Sequence, residues 1–215
     1  MTVPSGVVYG FLGPNGSGKT TTLRLITGLI EPTHGDVYIR GNPVSNTDYA
    51  VSSLGYAPAT PAVSPQLSAR EHLRYVADFR GLRPEDADER ISELLNQFDL
   101  ADAADDWVET YSTGMKQKLN LLQACLHEPS VLILDEPTAG LDPQSVRVFK
   151  DFVEEYSDRG NTVLLSTHIL SIVEKVADVI GIISDGTLVF EGTPSQVRDE
   201  TETDFESAFL ELTNP

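Results

Sequence analysis

Cysteine is almost absent: Cys125 is the single one in 215 residues. No internal disulfide can form, which fits a reducing compartment. Cys125 lies in the apolar run Leu121-Leu122-Gln123-Ala124-Cys125-Leu126. That run reads as core, with a reactive thiol as the alternative. Long hydrophobic runs are missing too, since the longest fall far short of the roughly 20 residues that span a bilayer. No secretory leader is recognisable. The expectation is a soluble protein, or one that docks onto a membrane partner. Basic residues are the third scarcity, 15 against 33 acids, for a net charge of −18. Such a chain is a poor wrapper of nucleic acid, which needs a basic footprint. The acids are scattered, and lysine is scarcer than arginine. Like charge of this kind keeps a surface soluble, and a salt-rich milieu would suit it.

A chain of this length buries about 70% of its unfolded surface, so its core needs no staples. Val7-Val8-Tyr9-Gly10-Phe11-Leu12 reads as a buried strand. Thr21 to Ile30, with Leu23, Ile26, Thr27 and Ile30 in helical register, reads as a helix. Asp36–Arg40 alternates as a strand, closed by Gly41-Asn42-Pro43, and Val51–Tyr56 reads as another. The proline-rich stretch 57–65 is a loop. Ser68 and Glu71 make a capping box for a helix with Leu73, Val76, Ala77 and Phe79 on its apolar side. Pro84 opens a second helix, with Ile91, Leu94, Leu95 and Phe98 as its stripe. Residues 64–128 are therefore expected to be all-helical, inserted in an α/β frame.

The frame resumes with the strand Ser130–Leu134, a helix marked by Phe149, Phe152, Val153 and Tyr156, and the strand Asn161–Ser166. A helix over Ile169–Val176 follows. Val179–Ser184 and Thr187–Phe190 flank Asp185-Gly186, a two-residue hairpin signal. Phe205, Phe209 and Leu210 make a closing apolar stripe.

Between the first strand and the first helix stands Gly13-Pro14-Asn15-Gly16-Ser17-Gly18-Lys19-Thr20. It fits G-x-x-x-x-G-K-[ST]. Glycine lets the backbone turn its N–H groups inward around a polyphosphate. Lys19 would bring charge to the β- and γ-phosphates, and Thr20 a hydroxyl to Mg²⁺. The helix N-terminus would favour the anion. A glycine turn with no ligand is the alternative. Val131-Leu132-Ile133-Leu134-Asp135-Glu136 is a buried strand that ends in two acids. Acids so placed face a ligand or metal, because an unpaired buried charge is costly. Asp135 would orient the Mg²⁺ shell and Glu136 polarise an attacking water. The alternative is a pair of solvated loop acids.

The run Asp135-Glu136-Pro137-Thr138-Ala139-Gly140-Leu141-Asp142-Pro143 resembles the Walker B and D-loop segment of ATP-binding-cassette (ABC) ATPases. Tyr111-Ser112-Thr113-Gly114-Met115-Lys116-Gln117 stands where that family carries LSGGQ, departing at Tyr111, Thr113 and Met115. The form is similar to the branch of multidrug, sodium and polysaccharide exporters. Ser112 also reads as a helix N-cap, which is compatible with anion contact. His168, after its strand, matches the family's switch histidine.

The resemblance implies a P-loop NTPase (RecA-like) α/β core, with the helical subdomain 64–128 and a reduced antiparallel β subdomain, in one domain over 1–215. It implies an ATPase subunit that drives export through a separate ABC permease, at the cytoplasmic face of the cell membrane. ATP and Mg²⁺ are the implied cofactors. They would be held by residues 13–21, Thr21 included, and by Ser112, Gly114 and Asp142. Thr20 and Asp135 would take the metal; Lys19, Glu136 and His168 would be catalytic. A homodimer or heterodimer with another ABC ATPase is implied, each ATP lying between the phosphate loop of one subunit and Ser112–Gly114 of the other.

Two departures bear on activity. Members of the family carry two strands and an adenine-stacking aromatic before the phosphate loop. Here Met1 lies a few residues before that strand, and Tyr9, inside it, is no substitute. Weak nucleotide affinity and little base selectivity are expected. After Gly55-Tyr56-Ala57-Pro58, where the family has Gln or Glu, stands Ala59, which offers no oxygen; Gln66 is a poor stand-in. The loop Ala59–Ser68 is still expected to form the groove for a permease helix. A soluble ABC ATPase of repair or translation and a truncated cassette with little turnover are the competing functions.

Overall fold

The computed structural model describes residues 1–45, 47–201 and 204–213. β1 (Val8–Leu12) enters the phosphate loop, and α1 (Lys19–Ile26) leaves it. The helix is shorter than its apolar spacing predicts. Gly28 (φ 72) stops it: its N–H bonds Leu25 O and that of Leu29 bonds Arg24 O, a Schellman cap. Ile30 is consequently off the helix.

β2 (Tyr38–Ile39) and β3 (Asn42–Pro43) pair as a small antiparallel ribbon. Its turn is Arg40-Gly41, both with positive φ, so Asn42 and Pro43 belong to a strand and not to the turn. The expected strand Val51–Tyr56 is half helix. α2 (Thr47–Ser53) precedes β4 (Leu54–Ala57). Winding puts Ala50 and Leu54 into one apolar cluster and leaves Val51 exposed.

Three helices then intervene before the next strand. α3 (Ala69–Phe79) starts on the Ser68–Glu71 capping box, with both reciprocal bonds made. Phe79 does not join its buried side; it is 75% exposed. α4 (Pro84–Gln97) buries Ile91, Leu94 and Leu95, with Phe98 just beyond its end. α5 (Thr113–Cys125) is capped by the Ser112 hydroxyl, which accepts from Met115 N–H.

β5 (Val131–Asp135), α6 (Pro143–Asp158), β6 (Thr162–Ser166), α7 (Leu170–Val176) and β7 (Val179–Ser184) follow. β8 (Thr187–Gly192) returns through Asp185-Gly186, then come α8 (Pro194–Thr201) and α9 (Phe205–Thr213). On α9 Phe205 is buried but Leu210 is half exposed.

The main sheet has the order β4-β5-β6-β1-β7-β8, parallel except for β8. Both faces of the inner strands are covered, which is why β1, β6 and β7 are largely apolar, whereas the edge strand β8 is mostly exposed. Along β1 the faces alternate. Val8 and Leu12 join the larger cluster with α3–α6, while Tyr9 and Phe11 join the smaller one with Leu23 of α1. Gly10 faces α7, where a Cβ would stand 2.4 Å from Val173 Cγ1. Among the described residues no helix is long and apolar enough to cross a membrane.

Candidate functional site

Three parallel strands finish side by side. Phe11 of β1 pairs with Ser166 of β6, and Ser166 pairs with Asp135 of β5. The phosphate loop, the two acids and His168 therefore share the carboxyl edge of the sheet, where α/β folds place ligands.

The loop is held from below. A Cβ on Gly13 would stand 2.4 Å from Ile183 O and 2.5 Å from Ser17 Oγ. Gly18 has φ 107, a backbone that only glycine adopts freely. Ser17 donates its N–H to Pro14 O and accepts from Gly186 N–H at 2.9 Å, so the β7–β8 turn braces the loop. Pro14, Asn15 and Gly16 stay exposed, as do Thr20 and Thr21 at the start of α1. No acid occupies the first turn of α1, which leaves its positive end uncompensated.

Lys19 is buried and curls onto the loop. Its Nζ donates to Gly13 O at 2.6 Å and Pro14 O at 3.0 Å. Burial pushes this ammonium below its usual range, while the carboxylates of Glu136 and Asp135 hold it up. Thr20 Oγ1 donates to Asp135 Oδ2 at 3.0 Å. A hydroxyl and a buried carboxylate in contact are hard oxygen donors, which suit Mg²⁺.

Glu136 sits one residue past β5 with φ 49, an uncommon backbone for a side-chain residue. Its N–H bonds Ser166 O at 2.8 Å. Thr167 Oγ1 donates to its Oε2 at 3.1 Å, and His168 Nδ1 stands 2.9 Å from its Oε1. An ionised carboxylate only accepts, so Nδ1 carries the proton. The His168 ring is 64% exposed. From the other side Gln117 Nε2 donates to Glu136 O at 3.1 Å.

Ser112 and Gly114 lie elsewhere on the chain. A Cβ on Gly114 would stand 2.8 Å from Gly140 O, so the segment packs on the D-loop. No described contact joins either residue to the phosphate loop. Asp142 is the N-cap of α6: it accepts from Gln144 N–H and Ser145 N–H at 2.9 Å and from Ser145 Oγ. The Ser145 N–H contributes most to holding its carboxyl below the usual range. Ala59 is exposed, and so is Gln66.

The sequence alone did not point to Thr167 or Gln117 as neighbours of Glu136. Thr167 is fully buried beside His168, and a hydroxyl at a strand's carboxyl end next to a site histidine was the available signal. Gln117 is 3% exposed, on a helix whose other buried residues, apart from Asn120, are apolar. The hydroxyls of Ser17, Thr138 and Ser166 are buried with no hydrogen-bond partner among the described residues.

Residues 1–139 match the ABC transporter family model. The chain belongs to the ABC transporter family. It is 37% identical over its whole length to the uncharacterized ABC transporter ATP-binding protein YcbN of Bacillus subtilis (strain 168), spanning 68% of that relative. It is 37% identical over 92% of its length to the daunorubicin/doxorubicin resistance ATP-binding protein DrrA of Streptomyces peucetius, spanning 60% of it. A solved ATP-binding subunit of an ABC transporter superposes with TM-score 0.92 at 32% identity, over 99% of this chain and 90% of that one. This ABC protein is an ATP-hydrolysing subunit that powers transport through a separate membrane subunit, and its P-loop core is that of the family.

Proposed function

We propose that this ABC subunit drives export, docked on a permease at the cytoplasmic face of a membrane. The observation that carries the mechanism is the doubly held carboxylate of Glu136, beside a phosphate loop whose threonine touches Asp135. Thr20 and Asp135 would hold Mg²⁺, which supplies charge neutralisation of the phosphates. Backbone N–H groups of residues 13–21, Pro14 excepted, would face the triphosphate, and Lys19 would leave its two carbonyls for the phosphate oxygens. Glu136 orients the attacking water and takes its proton. His168 and Thr167 keep that carboxylate aimed, and the His168 ring is exposed enough to reach the γ-phosphate. Such general-base help is worth roughly 10²–10⁴ in rate.

The unit over 1–215, with 64–128 as its helical subdomain, would work as a homodimer or heterodimer. Ser112 and Gly114 sit apart from their own phosphate loop, which fits a role at a partner's nucleotide. Asp142 would help shape that interface through its cap. Drug-resistance relatives such as DrrA support export. The permease site would be a groove of about 460 Å³ lined by Arg24, Tyr56, Pro58, Tyr75, Phe79 and Arg80 among others. Tyr75 and Phe79 are 64% and 75% exposed, and the groove's only charges are two arginines on a chain of −18. An apolar helix bearing a carboxylate fits it. Co-purification with a polytopic membrane protein from the source cell, and loss of that complex in Phe79→Glu with Arg80→Glu, tests this reading. A soluble repair or translation role would leave the chain without a membrane partner.

A further inference from the structure

α5 carries a buried polar row where leucine would pack: Gln117, Asn120 and, half-buried, Gln123. Their spacing of three makes a slanted row on one side of the helix. Each side chain is satisfied by something outside α5. Gln117 Nε2 donates to Glu136 O at 3.1 Å. Asn120 Nδ2 donates to Pro58 O at 2.8 Å, and its Oδ1 accepts from Ala62 N–H at 3.3 Å. Gln123 Nε2 donates to Asn120 Oδ1 at 2.9 Å and to Ala62 O at 3.3 Å.

The chain of bonds ends at His72, on α3. The Ser64 N–H can only donate, so His72 Nδ1 accepts from it, at 3.5 Å. Its Nε2 therefore carries the proton and donates to Gln123 Oε1 at 2.8 Å. Every bond to the loop 58–64 goes to main-chain atoms of Pro58, Ala62 or Ser64. The tie needs no side chain at Ala59. Pro58, Ala62 and Gln123 also line the groove beside α3.

Buried amides left unpaired are costly, so a row of them demands its partners in fixed places. A row this well satisfied behaves as one unit. We propose that Gln117, Asn120 and Gln123 are positioning residues that make α5 a strut between the groove-lining loop 58–64 and the main chain of Glu136. Displacement of the loop is then felt at the carboxylate that handles water, without passing through residue 59. This rests on the reading of Glu136 as the hydrolytic carboxylate.

The test is steady-state ATP hydrolysis by the full chain with Mg²⁺, in Gln117→Leu, Asn120→Leu and the double variant, alongside Glu136→Gln. Each single variant is expected to lower kcat by about five- to tenfold with KM within about twofold of the parent. The double variant should lose no more than the worse single one, because the two act in series. Amide exchange at Ala62 should quicken in Asn120→Leu and stay slow in Gln117→Leu. Multiplying losses in the double variant, or an unchanged kcat with only a lower Tm, overturns the strut. Should Asn120→Leu fail to fold, Gln123→Met, which is half-buried and cuts the link to Ala62 O, takes its place with the same kinetic expectations. If Glu136→Gln hydrolyses ATP normally, the reading of Glu136 is wrong; if it is inactive and Gln117→Leu is normal, only the strut is.

Discussion

His168 Nδ1 lies 2.9 Å from Glu136 Oε1, while Thr167 holds the other carboxylate oxygen at 3.1 Å. The two neighbours leave the carboxylate little freedom to turn. They also divide the labour: Thr167 is fully buried and fixed, whereas His168 is exposed and can follow the substrate. Glu136→Gln keeps the shape and removes the proposed base. Hydrolysis should fall by about 10²–10⁴, with ATP still bound and ATP-bound dimers accumulating on size exclusion. His168→Ala should lower kcat more than it raises KM, since it unfixes the base without touching the loop. Turnover in Glu136→Gln equal to the parent would remove that residue from the role.

The cradle makes a separate prediction. Lys19 Nζ is satisfied by two loop carbonyls, which under the proposed function it exchanges for phosphate oxygens when nucleotide arrives. Lys19→Ala should lose most nucleotide affinity while the fold stays intact by circular dichroism. Thr20→Val removes the hydroxyl that touches Asp135 and should raise the Mg²⁺ concentration needed for half-maximal hydrolysis. Titrating Mg²⁺ at saturating ATP reads this directly. An unchanged midpoint would exclude Thr20 as a ligand.

The site was more legible than its surroundings. A phosphate loop and a strand ending in Asp135-Glu136 are local patterns, each dictated by one chemical task. The hairpin at Asp185-Gly186 and the capping box at Ser68 were equally local. Failures came where tertiary packing decided. Val51 lies in a stretch that reads as strand, yet Ala50 and Leu54 had to reach one cluster, so the backbone winds. Phe79 sits at a helical core position by spacing, yet it faces the groove. Thr167 and Gln117 meet Glu136 only through strand register and the course of α5, which no local pattern displays.

Acid should destabilise this fold through its histidines first. Burial, helped by Arg80 and opposed by the Leu54 carbonyl, pushes His127 down to about 4 from 6.5. His72 is lowered too, by burial. A base with a depressed folded pKa is neutral in the native state while the unfolded chain takes the proton. Stability is thus fully present above the unfolded value and is lost as pH falls from 6.5 through 4. Glu71, Asp88 and Asp142 are held down mainly by hydrogen bonds, and their contributions fade at still lower pH. Urea midpoints between pH 7.5 and 4.5 should fall, and fall less steeply in His127→Gln. Parallel profiles for parent and variant would rule out His127 as a source.

Salt should act in the opposite sense to its usual effect on a protein held by ion pairs. Several of the ion pairs among the described residues are surface ones, such as Arg74–Asp88 and Arg83–Asp86, with half or more of each side chain exposed. Exposed pairs contribute only about 0–1 kcal/mol, so screening them costs little. The excess of 33 acids over 15 bases repels itself, and screening that repulsion is a gain. The Debye length falls from about 10 Å at 0.1 M salt to about 3 Å at 1 M. Tm should therefore climb from 0.1 M toward molar KCl, as measured by scanning calorimetry. ATP, an anion approaching a −18 protein, should also associate faster as salt rises. A Tm already maximal in dilute buffer would show that the acids are spaced widely enough for their repulsion not to matter.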